Sequence, residues 1–146
     1  GKSSKEIITT LDEMKKVSKA YFMADDLSHL QRSGRLNGAQ AIVGNLLQVK
    51  PLLHFEDKVI VPFQKIRTYK KVLLRIYELF DEFYRQHKDE NISVCILHVD
   101  ALEKAEEIKN YMKEVYPNVN VEIDAISPVV STHLGIGAIG FAWTIL

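Results

Sequence analysis

The sequence predicts a single α/β domain, a mixed β-sheet of about five or six strands with helices packed on it. Three observations predict it. Segments with apolar residues at helical spacing alternate along the chain with short β-branched or alternating segments, the order of an α/β fold. The 146 residues fit one domain and can bury a core without a disulfide or a metal. Hydrophobic residues make up 47% and charged residues 26%, a composition that excludes intrinsic disorder.

The elements follow in order. Ser3, Ser4 and Glu6 open a helix whose apolar positions Ile7, Ile8, Leu11, Met14 and Val17 fall on one face. Ala20 to Ala24 reads as a short buried strand, and Asp25 as the N-cap of a helical turn from Asp26 to Gln31. Ser33 to Gly38 is a loop, and an uncharged, mostly apolar helix follows from Ala39 to Gln48. Pro51 stops it. Leu52–Phe55 and Val59–Phe63 form a hairpin around the polar turn Glu56-Asp57-Lys58, with Pro62 marking an edge strand or a bulge.

Thr68 caps a long helix, Tyr69 to His87, with an apolar stripe of Val72, Leu73, Ile76, Leu79, Phe80 and Phe83. Ile92 to Val99 is a buried β-branched strand, and Leu102 to Tyr116 an amphipathic helix ended by Pro117. Val119, Val121 and Ile123 alternate with polar residues, giving a strand with one wet face. Ile126 to His133 reads as a loop or strand end. On that reading Ser131 and His133 share a side and Thr132 does not. Ala138 to Leu146 is a final strand, apolar throughout and therefore central or covered on both faces.

Charge narrows the functional classes. Lys+Arg and Asp+Glu both number 19, so there is no global basic field to attract nucleic acid or an anionic membrane. No run approaches the ~20 apolar residues of a membrane-spanning helix. The single cysteine, Cys95, excludes an internal disulfide and fits a reduced, cytoplasmic setting; its apolar surroundings suggest a buried, inert thiol. The chain opens without methionine or signal peptide and closes on the apolar run Gly140 to Leu146. These ends read as cuts from a longer protein.

The motifs need sorting. Gly135 to Gly140 spells G-x-G-x-x-G, but only six residues follow, too few for the second strand and acidic residue of a dinucleotide site. The glycines read instead as sites of tight packing. Five scattered histidines show no metal-ligand spacing, so no metal is expected. Read from its neighbours alone, His133 is a hydrogen-bonded structural histidine. Arg32 and Arg35 flank Gly34, and Lys65, Arg67, Lys70, Lys71 and Arg75 form a second basic cluster. The second cluster is either a solvated helix end or a site for an anionic group on a partner.

Four segments carry a resemblance. Asp25 to Leu36 (DDLSHLQRSGRL) resembles the D-x-L-x-x-L-x-x-G-G-R-I segment of DegV-family proteins. Leu46 to Leu53 resembles their L-L-x-I-K-P-I-L, and Lys65-Ile66-Arg67-Thr68 their K-x-R-T. Ser127 to Gly137 resembles G-P-V-I-x-x-H-x-G-P-G. The segments keep the family order over most of the chain; Ser33, Ser127 and Ile136 depart from it.

The resemblance implies a C-terminal domain, residues 1–146, of a longer two-domain protein whose N-terminal domain is absent from this sequence. In the family a fatty acid lies between two α/β domains, and the N-terminal one supplies hydroxyl groups to the carboxylate. The implied function is that of a bacterial, cytoplasmic FakB-type carrier. It binds a long-chain fatty acid and presents it to a separate fatty acid kinase for acyl-phosphate formation. It is not itself an enzyme, needs no cofactor and no nucleic acid, and touches membranes at most peripherally.

The family's histidine position makes His133 the donor to the carboxylate, a buried charge that needs a partner. The resemblance makes Arg35 the second head-group candidate. Gly135 and Gly137 would let the backbone approach the ligand. Arg67, Lys70 and Lys71 become the candidate kinase-docking face. The acyl channel is expected against the Ala39–Gln48 helix and the final strand. Two alternatives stand beside this reading. One is a small-molecule kinase or transferase subunit related to dihydroxyacetone kinases, with His133 carrying the substrate. The other is an interaction domain without a ligand.

Overall fold

The computed structural model describes residues 1–25, 27–35 and 50–146. The expected Ala39–Gln48 helix lies outside the described residues. A six-stranded mixed sheet organises the chain, as the sequence predicts. Its elements are α1 (Ser4–Val17), β1 (Lys19–Met23), α2 (Ser28–Arg32), β2 (Leu52–Glu56), β3 (Val59–Gln64) and α3 (Tyr69–His87), followed by β4 (Ile92–His98), α4 (Leu102–Val115), β5 (Asn120–Ala125), α5 (Pro128–Leu134) and β6 (Ile139–Ile145).

The strand order is β3-β2-β1-β6-β4-β5. Among the described strands only β4 and β5 pair in parallel, and α4 supplies the crossover such a pair requires. The other neighbours are antiparallel. The β2–β3 hairpin closes on Asp57 and Lys58, both at positive φ (48° and 68°), as a two-residue turn matched to strand twist demands. Pro62 lies on edge strand β3, and the register shifts opposite it between Leu52 and Leu53. β6 is central, which explains its apolar sequence.

Local chemistry sets the helix ends. Ser3 and Glu6 form a reciprocal capping box at α1, and the Thr68 side chain accepts from the backbone N–H of Lys71 at α3. α3 and α4 cover one face of the sheet. Val72, Ile76 and Phe80 of α3 and Ala105, Ile108 and Met112 of α4 are fully enclosed there with Val94, Ile96, Phe141 and Trp143. Phe80 is the hub: its ring meets Tyr116 edge-on at 5.0 Å and Trp143 at 5.4 Å. Burying such a ring is worth about 1.5–3 kcal/mol.

Three expectations need correction. Asp25 does not cap a helix beginning at Asp26. α2 starts at Ser28, and the Asp25 carboxylate bonds to Lys50 and Lys104 instead. The segment after β5 is not extended: α5 is helical. Val129, Val130, Ser131 and Thr132 are weak helix formers, which hid it. Pro128 at the helix start and buried Leu134 at its end override that preference. In consequence Ser131 and His133, two residues apart on a helix, do not share a side. The Ser131 hydroxyl donates to the carbonyls of Ile126 and Ser127.

α1 has the predicted stripe but buries none of it. Ile7, Ile8 and Leu11 are 46%, 59% and 49% exposed. At its C-terminal end the Ser18 hydroxyl donates to Thr144 at 2.8 Å, tying the helix to β6. No helix among the described residues is long and apolar enough to cross a membrane.

Candidate functional site

Strand direction collects the predicted residues at one end of the sheet. β1, β3, β4 and β5 finish there, β2 and β6 begin there, and α3, α4 and α5 start there. The carboxyl ends of strands in open α/β sheets are where ligands usually bind. The segments carrying Arg35, Arg67, Lys70, Lys71 and His133 and the Gly135–Gly137 turn all leave the sheet at this end.

α2 and α5 pack against each other on the face opposite α3 and α4. Leu27, Leu30, Leu134 and Ala138 form a small second core there with Phe22 and Leu53. His133 is half-buried near the end of α5, and no described residue hydrogen-bonds to its ring. Gly135 (φ 79°) ends the helix, and Gly137 (φ 85°) completes the turn into β6. A Cβ on Gly135 would lie 2.9 Å from Cδ2 of His29, and one on Gly137 would collide with the Asp25 carboxylate. What the structure shows close beside both glycines is therefore the protein's own side chains.

Arg35 is exposed just beyond α2, its backbone N–H donating to the carbonyl of Leu30. No contact between Arg35 and His133 is present. Arg67, Lys70 and Lys71 are also exposed. Arg67 and Lys71 border a groove of about 430 Å³ with Lys65 and Arg75, whose guanidinium is bound by Gln64 and Glu78. Among the described residues no group of three or more His, Cys, Asp or Glu could hold a metal.

The sequence did not reveal a trough beside α5. Register places Ala20, Ala142 and Cys95 side by side across β1, β6 and β4. The next row on that face is Phe22, Gly140 and Leu97. A Cβ on Gly140 would press to 3.2 Å on Cβ of Leu97, so glycine is what lets this row sit level. Small residues make a low floor. Ile126, Val130 and Leu134 wall one side and Phe55 and Ile60 another, leaving a cavity of about 280 Å³. It adjoins a larger space of about 740 Å³ that shares Ala20, Phe55 and Ala142 and reaches Ser93 and Thr144. His133 does not line the cavity; Val130 and Leu134, three before and one after it, do. The final strand thus lines this cavity through Gly140, Phe141 and Ala142. The signal in the sequence was the alternation of Gly140, Ala142 and Thr144 with Phe141 and Trp143.

Cys95, which lines the larger adjoining space, is half-buried rather than enclosed, and desolvation with nearby Asp124 and Glu122 pushes its thiol pKa up, so it is a poor nucleophile. Burial disfavours the charged Asp25 carboxylate, but the hydrogen bonds and charges of Lys50 and Lys104 outweigh that and hold its pKa below the usual value.

The family model for DegV, described as an uncharacterised protein of the DegV family, matches residues 1–145. The chain belongs to the DegV family. It is 50% identical over 141 residues to protein DegV of Bacillus subtilis, covering 97% of this chain and 50% of that protein. A Listeria innocua DegV domain-containing protein is 48% identical over 139 residues, covering 95% of this chain and 48% of that protein. The crystal structure of B. subtilis DegV, a fatty acid binding protein, superposes with a TM-score of 0.87 at 48% identity, covering 99% of this chain and 50% of that one. A fatty acid binding DegV family protein from Streptococcus agalactiae gives 0.85 at 34% identity, covering 97% and 50%. The chain spans about half the length of the DegV relatives it matches.

Proposed function

We propose that this chain is the C-terminal half of a DegV-type fatty-acid carrier, a binding module and not an enzyme. The observation that carries the reading is the trough over Ala20, Gly140 and Ala142. It is an apolar space on the part of the sheet face that α2, α5 and the other described residues leave uncovered, beside a helix bearing an imidazole with no hydrogen-bond partner among the described residues. A long acyl chain gains about 0.8 kcal/mol per buried methylene in such a space. Its carboxylate needs a donor once removed from water, and His133 at the adjoining helix end can give a charge-assisted hydrogen bond. The fatty-acid-binding DegV proteins of B. subtilis and S. agalactiae support the substrate class.

The finer reading is that the loaded carrier offers its carboxylate to a separate kinase, which transfers a phosphoryl group to it. Arg67, Lys70 and Lys71 would face that kinase. They stand at the start of α3, whose Tyr69 ring lies under the ammonium of Lys104 at 5.1 Å, and Lys104 in turn bonds Asp25 beside the Gly137 turn. The basic surface and the head-group helix are thereby held at one end of the sheet. Arg35, on the exposed loop after α2, is the second head-group candidate. The deciding experiment is organic extraction of the purified full-length protein followed by mass spectrometry. Stoichiometric fatty acid in the wild type and its loss on Ala142→Phe is the expected result. A full-length protein that carries no lipid and binds none when offered it would refute the reading.

A further inference from the structure

We propose that Asp25 is a positioning residue for the head-group site: its carboxylate, held by Lys50 and Lys104, braces the Gly137 turn and so fixes His133. The inference rests on the reading of His133 given above.

Three of the four motif segments meet at this carboxylate. Asp25 opens the first, Lys50 belongs to the second, and Gly137 closes the fourth. Lys50 Nζ donates to the Asp25 backbone carbonyl at 2.7 Å and to Oδ1 at 3.2 Å. Lys104 Nζ, from the first turn of α4, donates to Oδ2 at 3.3 Å. The same carboxylate lies so close to the turn that a Cβ on residue 137 would clash with Oδ2, so only a glycine fits against it. Glycine is needed there twice over, for this contact and for φ of 85°. The turn is closed from the other side by Gly137 N–H donating to the Val99 carbonyl at 2.8 Å. At its first glycine, Gly135, it rests on His29.

A turn held in this way has little freedom, and it begins two residues after His133. α5 has only seven residues and its single enclosed side chain is Leu134. The helix alone cannot hold His133 to the few tenths of an ångström that a charge-assisted bond requires. Asp25 touches neither the acyl trough nor His133. Its influence passes through the turn.

The test uses the full-length protein, oleate as probe, and ¹³C-labelled histidine. Asp25→Asn keeps the shape and removes the charge. Oleate affinity should fall about tenfold, as coupled neighbours commonly do. In a His133→Ala background the same substitution should cost nothing further, because both act on one bond. The ring resonances of His133 should shift in unliganded Asp25→Asn. If that variant does not fold, Lys50→Met should reproduce the pattern. Unchanged affinity together with unchanged His133 resonances would overturn the inference, as would a full additional loss in the double variant. If His133→Ala binds oleate like the wild type, the head-group reading fails. The bracing is then judged on the resonances alone: a shift keeps it and no shift ends it.

Discussion

Across the centre of the sheet, its two faces differ in the size of alternate residues. On the α3–α4 face, the rows across β1, β6 and β4 are Tyr21, Phe141 and Ile96, then Lys19, Trp143 and Val94. One residue along, the rows on the other face are Ala20, Ala142 and Cys95, then Phe22, Gly140 and Leu97. Large rings interlock with Phe80 and exclude water from the first face. The second keeps a space of about 280 Å³ that no described side chain fills. These three strands can therefore serve stability with one set of side chains and, on the proposed reading, ligand binding with the other. A substitution should affect mainly the property of the face it points to.

The strongest break of this division is Phe80→Ala. It should destabilise the fold by about 3–5 kcal/mol through cavity formation, measured by denaturant titration, with oleate affinity of the folded fraction preserved. The reverse break is Ala142→Phe, which fills the trough. Excluding three or four methylenes should cost about 2–3 kcal/mol of oleate binding in calorimetry, while the unfolding midpoint hardly moves. A large fall in stability would mean that this face is core after all.

His133→Ala tests the head-group role proposed for the helix beside the trough. In the full-length protein the loss should be about 1–3 kcal/mol for a carboxylate left without its donor. A fatty alcohol of equal length should bind both proteins alike. Arg67→Glu or Lys70→Glu lies off both faces. Oleate binding should be unchanged; if the proposed kinase partnership holds, acyl-phosphate formation should fall roughly two- to fivefold, more at low salt.

The smallest effect is on acid stability. The Asp25 pKa is depressed by Lys50 and Lys104, with Tyr69 also nearby, so its ion pairs stabilise the fold fully above about pH 4, the unfolded value. That contribution fades as pH falls through the lower folded value. The carboxylate is 41% exposed, so solvent screening keeps it under about 1 kcal/mol. Asp25→Asn should flatten the acid limb of the stability profile by that amount and leave neutral-pH stability nearly unchanged apart from it.

How much of this was legible varies by element. The Tyr69–His87 helix and the hairpin around Asp57 and Lys58 were readable because periodicity, a capping threonine and a polar turn agree locally. α5 was not, because Pro128 and the burial of Leu134 outweigh four weak helix formers, and burial is a tertiary quantity. The family followed from four motifs in order. The role of Asp25 did not, since an aspartate ahead of a helix normally reads as a cap.

The sequence by itself determined the fold class and all the described strands and helices except α5, and its resemblance to the DegV family supplied the candidates Arg35, Arg67, Lys70, Lys71, His133, Gly135 and Gly137. The elements depend on side-chain type and short-range spacing, and the resemblance on four motifs kept in order. Tertiary structure alone decided that β6 lies between β1 and β4, that Ala20, Ala142 and Cys95 thereby form one low row, and that Asp25 meets Lys50, Lys104 and Gly137. The physical reason is that strand order and register are set by long-range pairing. A cavity exists only where residues far apart in the chain are all small in the same place.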